Sequence, residues 1–149
     1  MEFAFKCFML MTPALFKAGI IIFLGGKMQK IFYVGIGGCI GAVLRYLISS
    51  KIGEAQIPLG TLCVNVLGGV LIGMIMEICI STEFISPNMR LFLTTGVLGG
   101  LTTFSAFSYE TVQLFSNGDL RHGVLNICLN LFLCLGGVLL GQYLAVKVI

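Results

Sequence analysis

The stretch with the most chemical potential in this sequence is residues 96–110, which read GVLGGLTTFSAFSYE. Adjacent Gly99 and Gly100 are followed by Thr102 and Thr103, and these residue types weaken a helix. A break in a helix releases carbonyl oxygens, which are hard ligands suited to an alkali cation. Glycine adopts unusual backbone angles easily, so we expect Gly99 to need its conformational freedom at such a break.

Two phenylalanines follow the predicted break. Phe104 and Phe107 are three residues apart and therefore share one helix face. The edge of an aromatic ring carries partial positive charge and can favour an anion that lies in the ring plane. Two phenylalanines at this spacing are more often lipid-facing or core residues, so the spacing leaves both interpretations open. Glu110 lies one turn further and marks either a polar vestibule or the membrane interface.

Four other polar residues lie within apolar runs, namely Arg45, Asn65, Asn126 and Asn130. A polar side chain that faces lipid is costly, so these residues should face the protein interior or a water-filled path. Hydrogen bonding between helices would explain each asparagine equally well. Arg45 could alternatively extend its guanidinium to the membrane interface.

The sequence gives little support for catalysis, and we predict that the protein is not an enzyme. His122 is the only histidine and lies near a loop. No serine occurs in a G-x-S-x-G motif, and no carboxylate pair shares a helix turn. The six cysteines form no C-x-x-C pair, and no Lys/Arg cluster suggests nucleic acid as a partner.

The composition assigns these residues to a membrane protein. Of the 149 residues, 58% are hydrophobic and 10% are charged, and the mean hydropathy is +1.06. Soluble domains carry about 25% charged residues, so a soluble globular enzyme does not fit. The long unbroken apolar runs also exclude the alternating pattern of a β-barrel. The predicted fold class is therefore all-α and polytopic, with a broken third helix.

Four apolar runs are long enough to span a bilayer, since about 20 residues suffice for one helix. They cover about residues 31–50, 58–80, 89–115 and 121–149, and short loops make neighbouring helices antiparallel. Each span carries one G-x-x-x-G pair, which lets helix backbones approach closely. The pairs are Gly37/Gly41, Gly69/Gly73, Gly96/Gly100 and Gly137/Gly141.

Residues 1–27 are a separate case. Their apolar run at residues 9–23 is interrupted by Pro13 and Lys17, and Met28 offers a second start just before the first convincing span. We predict an N-terminal extension over residues 1–27, outside the functional core, and one four-helix membrane domain over residues 28–149.

The placement of positive charge gives no preferred orientation. Counted from Met28, one side of the membrane would carry Lys30, Arg90 and Lys147, and the other Arg45, Lys51 and Arg121. Since the side richer in Lys and Arg normally stays inside, this balance favours neither orientation. Either other factors set the orientation, or the chain inserts both ways.

Three motifs together resemble the CrcB/Fluc fluoride channel family. They are GGCIGAVLRY at residues 37–46, PLGTLCVN at residues 58–65 and GGLTTFSAF at residues 99–107. The match covers about residues 29–141 in the right order and has no counterpart for residues 1–27. It implies a homodimer of antiparallel four-helix subunits in the inner (plasma) membrane of the cell. Such a dimer lets fluoride leave passively by two pathways and holds a structural sodium ion.

The resemblance also implies site residues by position. Gly99 and Thr102 would give backbone carbonyls to the sodium ion. Phe104 and Phe107 would form a phenylalanine box, and Asn65 would supply a pore-lining amide. Two further donors are expected to help fluoride shed its water, and these are Ser105 and Asn130, which stands where serine is common in the family.

Two other classes remain open. The first is a small proton-coupled exporter that works as an antiparallel dimer, and the second is a non-transporting subunit of a larger membrane complex. An exporter normally needs a titratable carboxylate at mid-membrane. The candidates, Glu77 and Glu110, lie toward helix ends, which counts against the exporter.

Overall fold

The computed structural model describes the backbone of residues 2–52 and 55–149 and the side chains of residues 25–52 and 55–149. It divides into two units, Met1–Phe32 and Tyr33–Ile149. The described residues form helices and no strand, which confirms the all-α prediction. The helices are α1 (Glu2–Lys51), α2 (Leu59–Ser81), α3 (Pro87–Leu91), a π-helix (Phe92–Leu98), α4 (Gly99–Leu101), α5 (Phe104–Ser116) and α6 (Leu120–Val148).

Four stretches of the described chain are long and apolar enough to cross a membrane, as the sequence predicts. They are Gly25–Lys51, Leu59–Ser81, Pro87–Ser116 and Leu120–Val148. The first helix differs from its prediction, because α1 continues unbroken back to Glu2 instead of beginning near residue 31. The prediction that residues 1–27 are an extension falls mostly on side chains outside the described residues, and it stays a prediction.

Close backbone contacts join the helices of the unit Tyr33–Ile149. A side chain at Gly141 would overlap the Val70 carbonyl of α2, and one at Gly73 would overlap the Val138 carbonyl of α6. These contacts confirm that the G-x-x-x-G pairs serve helix packing. The buried apolar core is small and consists of Val64, Leu98 and Leu101. Many of the large apolar side chains among the described residues are exposed, as expected for a chain surrounded by lipid.

The third span is interrupted, as predicted. Thr102 (φ −82°, ψ 155°) and Thr103 (φ −151°, ψ 114°) are extended, and they separate α4 from α5. The expectation that Gly99 uses its conformational freedom at the break is wrong, because Gly99 is helical (φ −63°, ψ −35°) and a Cβ there would meet only one atom, at 3.8 Å. The extended residues are instead β-branched threonines, which suit extended backbone.

The turn between α5 and α6 has the geometry that its Asn-Gly-Asp sequence predicts. Gly118 has φ +79°, a left-handed conformation that favours glycine. Asp119 caps α6, since its Oδ1 accepts a hydrogen bond from the His122 backbone N–H at 3.2 Å, and its Oδ2 lies 2.7 Å from His122 Nδ1. The hydrogen bonds from His122 lower the pKa of Asp119. His122 therefore has a structural role at this turn.

We predict that Gly141→Ala destabilises the folded protein, whereas Gly136→Ala on the same helix does not. The new methyl group at residue 141 would overlap the Val70 carbonyl, and such overpacking costs about 1–3 kcal/mol. No atom lies within 4 Å of the corresponding position at residue 136, where alanine should favour the helix. Thermal unfolding in detergent measures both variants. Equal melting temperatures would contradict the close packing of α2 and α6.

Candidate functional site at the break in the third span

The backbone of the break is held by a side chain of α2. The Thr103 N–H donates a hydrogen bond to Asn65 Oδ1 at 2.8 Å, and Asn65 Nδ2 donates to the Thr103 carbonyl at 3.2 Å. The amide of Asn65 thus pairs with both polar groups of Thr103, as a neighbouring β-strand would. This pairing allows Thr103 to be extended inside the membrane, where unpaired backbone groups are costly.

The break releases backbone carbonyls from their helical partners, among them those of Gly99 and Thr102. In an unbroken α-helix, the N–H groups of Thr103 and Ala106 would bond to the carbonyls of Gly99 and Thr102. Here the Thr103 N–H donates to Asn65, and the Ala106 N–H donates to Thr103 Oγ1 at 3.2 Å. The carbonyls that the family resemblance assigns to a sodium ion, those of Gly99 and Thr102, are therefore among those released by the break.

Arg45 reaches this break from α1. Its Nη1 donates a hydrogen bond to the Thr102 carbonyl at 3.3 Å. Of the two interpretations that the sequence left open, the structure supports the inward one, because the half-buried guanidinium contacts the protein interior. The break thus receives hydrogen-bonding side chains from two different helices.

A chain of amides continues from the break into α6. Asn65 Nδ2 also donates to Asn130 Oδ1 at 3.1 Å, and Asn130 Nδ2 donates to Asn126 Oδ1 at 3.0 Å. Asn126 is completely buried and donates to Thr111 Oγ1 at 2.9 Å, which in turn donates to the Phe107 carbonyl at 2.7 Å. Each of these amides therefore bonds to another helix. Both N–H groups of Asn65 are already engaged with protein acceptors.

A cavity of about 640 Å³ opens beside the break and brings most of the sequence-predicted site residues together. Ser105 is the exception, since it is not among the lining residues, and its Oγ instead lies 3.1 Å from Thr103 Oγ1. Apolar side chains of α2 and α6 complete the wall. The predicted site residues in the lining are Asn65, Gly99, Thr102, Phe104, Phe107 and Asn130.

Phe104 and Phe107 lie together at this cavity. Their ring centroids are 5.5 Å apart and their planes are inclined by 57°. The Phe104 residue is 80% exposed on the single chain. A large exposed aromatic ring at the edge of a cavity is available to an ion, to lipid or to a second protein chain.

Glu110 lies further along α5 and faces the interior. Its Oε1 accepts a hydrogen bond from Thr61 Oγ1 of α2 at 2.7 Å. Its Oε2 is buried and has no hydrogen-bond partner among the described residues. Glu110 therefore contacts α2 inside the protein, and its place in a polar vestibule stays a prediction.

Sequence reasoning did not identify Thr61 and Thr111 as residues that this site uses, and it named Thr103 only as a residue that weakens the helix. Thr103 supplies both the extended backbone and the cap of α5, Thr111 links α5 to Asn126, and Thr61 bonds to Glu110. A signal existed only for Thr103, because threonine immediately before a helix is a favoured N-cap. The other two threonines lie within apolar runs, and only their contacts distinguish them.

Comparison with known proteins gives one consistent assignment. Residues 32–142 match the family described as CrcB-like protein, Camphor Resistance (CrcB). A Clostridium perfringens relative named fluoride-specific ion channel FluC is 52% identical over 124 residues, covering 79% of this chain and 97% of the relative. A relative of the same name from Clostridium novyi is 54% identical over 121 residues (79% and 94%). Another from Sorangium cellulosum is 42% identical over 125 residues (82% and 98%).

The family match extends from the first described span into the last and includes the helix break, Asn65 and both phenylalanines of the cavity. It confirms the resemblance carried by the three sequence motifs, and the chain belongs to the CrcB-like family.

Proposed function

We propose that this protein is a passive, fluoride-selective ion channel of the cell membrane. The observation that carries the proposal is the cavity at the break, where two amides, three threonines and two phenylalanine rings meet in a largely apolar wall. The relatives at 42–54% identity, which are named fluoride-specific ion channels, support the choice of ion. Transport of this kind needs no catalytic residue.

The chemistry of the cavity suits a small anion. Fluoride is strongly hydrated, so a pore must replace the lost water with hydrogen-bond donors and electropositive ring edges. The Phe104 and Phe107 rings offer such edges. The Asn65 amide offers an N–H only if fluoride displaces Asn130 Oδ1, which now accepts that hydrogen bond. A passing fluoride ion would thus replace Asn130 Oδ1 as the acceptor of the Asn65 N–H. Asn130 and Ser105 would be neighbouring donors.

A passive channel would protect a cell from fluoride. Neutral HF enters a cell from an acidic medium and releases the anion in the less acidic interior, and the anion cannot leave through lipid. A fluoride-selective exit across the inner membrane lowers the internal concentration without an energy source. The direction of net flow then follows the electrochemical gradient of fluoride, which includes the membrane potential.

The functional unit in this proposal is an antiparallel homodimer formed by two copies inserted in opposite orientations. The Lys and Arg residues on the two sides support dual insertion, since counted from Met28, with Arg45 left out because its guanidinium lies inside the protein, they number three against two and give no strong bias. The exposed ring of Phe104 and the cavity beside it supply apolar surface that a second copy could cover. Each pathway would then be bounded by both protomers and surrounded by lipid.

A structural sodium ion fits the residues at the break. The carbonyls of Gly99 and Thr102 are released from helical hydrogen bonding, and carbonyl oxygen is a hard ligand that suits an alkali cation. A bound sodium ion would supply fixed positive charge and tie the two breaks of a dimer together. The ion is proposed as part of the scaffold and not as transported cargo.

A liposome efflux assay tests the proposed function. Purified protein in fluoride-loaded liposomes should release fluoride at equal internal and external pH and should retain chloride. Release only when a proton gradient is imposed would favour the proton-coupled exporter, for which the buried carboxylate of Glu110 is the one supporting observation. The absence of any fluoride release would refute both transport functions and leave the non-transporting subunit.

The same assay isolates the contribution of the aromatic rings. Phe104→Ile and Phe107→Ile keep an apolar side chain and remove the ring edge, so each should slow fluoride release about tenfold, equivalent to about 1.4 kcal/mol in the barrier. Phe132→Ile is the matched control, because that exposed ring on α6 is not among the residues that line the cavity. Native rates in both cavity variants would show that the two rings only fill space.

Asn65→Leu should lower both stability and fluoride release. Leucine has similar volume but leaves the N–H and carbonyl of Thr103 without partners, and each such loss costs about 1–3 kcal/mol. Asn88→Leu, at a residue of α3 outside this network, should leave thermal unfolding nearly unchanged. An unchanged melting temperature in Asn65→Leu would mean that the amide does not hold the break.

Sodium should stabilise the folded dimer when it is compared with a large organic cation at equal ionic strength. A ligand that binds only the folded state adds about 2.7 kcal/mol at 100 times its Kd, so the melting temperature should rise by several degrees. The rise should disappear in Asn65→Leu, because loss of the amide that pairs with Thr103 leaves the break, and with it the Gly99 and Thr102 carbonyls, without a fixed geometry. Identical melting curves of the native chain in both salts would contradict the proposed sodium site.

A further inference from the structure

The two extended residues of the third span have four backbone polar groups, and all four are hydrogen-bonded. The Thr102 N–H donates to the Leu98 carbonyl at 3.0 Å within the helix. Asn65 pairs with both groups of Thr103. The fourth group, the Thr102 carbonyl, accepts its hydrogen bond from Arg45. Arg45 is therefore the side chain that completes the hydrogen bonding of the break.

The path of α1 explains how Arg45 reaches this position. Gly37, Gly41 and Arg45 are spaced by four residues and so lie on one face of the helix. A side chain at Gly37 would meet Gly96 Cα at 2.9 Å, and one at Gly41 would overlap the Val97 carbonyl. Gly37 and Gly41 thus bring α1 into backbone contact with the third span on two successive turns. The third residue on that face meets the break.

The energetics favour a fixed position for this guanidinium. A charged side chain inside a membrane span is costly unless it finds a protein partner. A hydrogen bond that involves a charged donor is worth roughly twice a neutral one. The Thr102 carbonyl has two lone pairs, so it can accept from Arg45 and still coordinate a cation. Arg45 and the proposed sodium ion can therefore act on the same oxygen.

We propose that Arg45 is a positioning residue of the pathway. By holding the Thr102 carbonyl, it fixes the direction in which α5 leaves the break, and α5 begins with Phe104. The ring of Phe104, and that of Phe107 one turn later, depend on this direction for their place at the cavity. The inference rests on the proposed channel function for its effect on fluoride, whereas the effect on the break itself does not.

Three variants separate positioning from a general role in folding. Arg45→Met keeps the length of an unbranched side chain and removes the donor, and Arg45→Lys keeps a charged donor with different geometry. Arg90→Met is the matched control, because it removes one positive charge from an exposed residue of α3. For each variant, hydrogen exchange is measured on peptides that cover Thr103 and Ala106 and on peptides from α2 and α6. Fluoride release is measured in liposomes.

Arg45→Met should raise exchange about tenfold at the amides of Thr103 and Ala106 and leave α2 and α6 protected as in the native chain. Arg45→Lys should restore part of the protection, and Arg90→Met should match the native chain. Fluoride release should fall in Arg45→Met and recover partly in Arg45→Lys.

Several outcomes would overturn the proposal. If hydrogen exchange at the break stays native in Arg45→Met, Arg45 does not hold the break. A loss of fluoride release in that variant would then mean that Arg45 acts only through its charge. Faster exchange throughout the chain would mean that it serves the fold in general. Faster exchange at the break with native fluoride release would mean that it does not position the pathway. If the native chain itself releases no fluoride, the channel function fails, while the exchange data still decide whether Arg45 holds the break.

Discussion

The structure depends on one constraint, namely that backbone polar groups inside a membrane must find partners within the protein. Thr102 and Thr103 leave helical conformation in the middle of a span, and this is possible because side chains from other helices replace the lost partners. Asn65 contributes most, with one amide pairing both groups of Thr103. The glycine contacts among the helices matter because they bring Asn65 and Arg45 close enough to reach the break.

The same amide connects structure to the proposed transport. Asn65 bonds both to the break and to Asn130, and through Asn126 the network extends to Thr111 on α5. A fluoride ion that takes an N–H from Asn65 would therefore compete with a protein acceptor already in place. Such competition keeps the site hydrogen-bonded when the ion is absent and makes occupancy reversible. Passive conduction needs this balance, since an ion must enter readily and also leave.

Much of this arrangement was accessible from the sequence. Long apolar runs predict the spans, because only helices satisfy their own backbone in lipid, and the Gly99–Thr103 region predicts where the third span breaks. The origin of the break was not accessible, since Gly99 proved helical and the partners of Thr103 come from residues 38 positions away. The role of Arg45 was hidden for the same reason. The sequence is compatible both with an Arg45 that extends to the membrane interface and with one that bonds inward, and only the hydrogen bond to the Thr102 carbonyl distinguishes them.

The Asn65 side chain pairs with the backbone of the break, and a solid-state NMR measurement in lipid tests this pairing most directly. Side-chain ¹⁵N labels on asparagine and carbonyl ¹³C labels on threonine give the dipolar coupling between Asn65 Nδ2 and the Thr103 carbonyl carbon, assigned by difference against Asn65→Leu. We expect a coupling strong enough for a direct hydrogen bond, in keeping with the 3.2 Å between Asn65 Nδ2 and the Thr103 carbonyl oxygen. A coupling too weak for direct contact would contradict it.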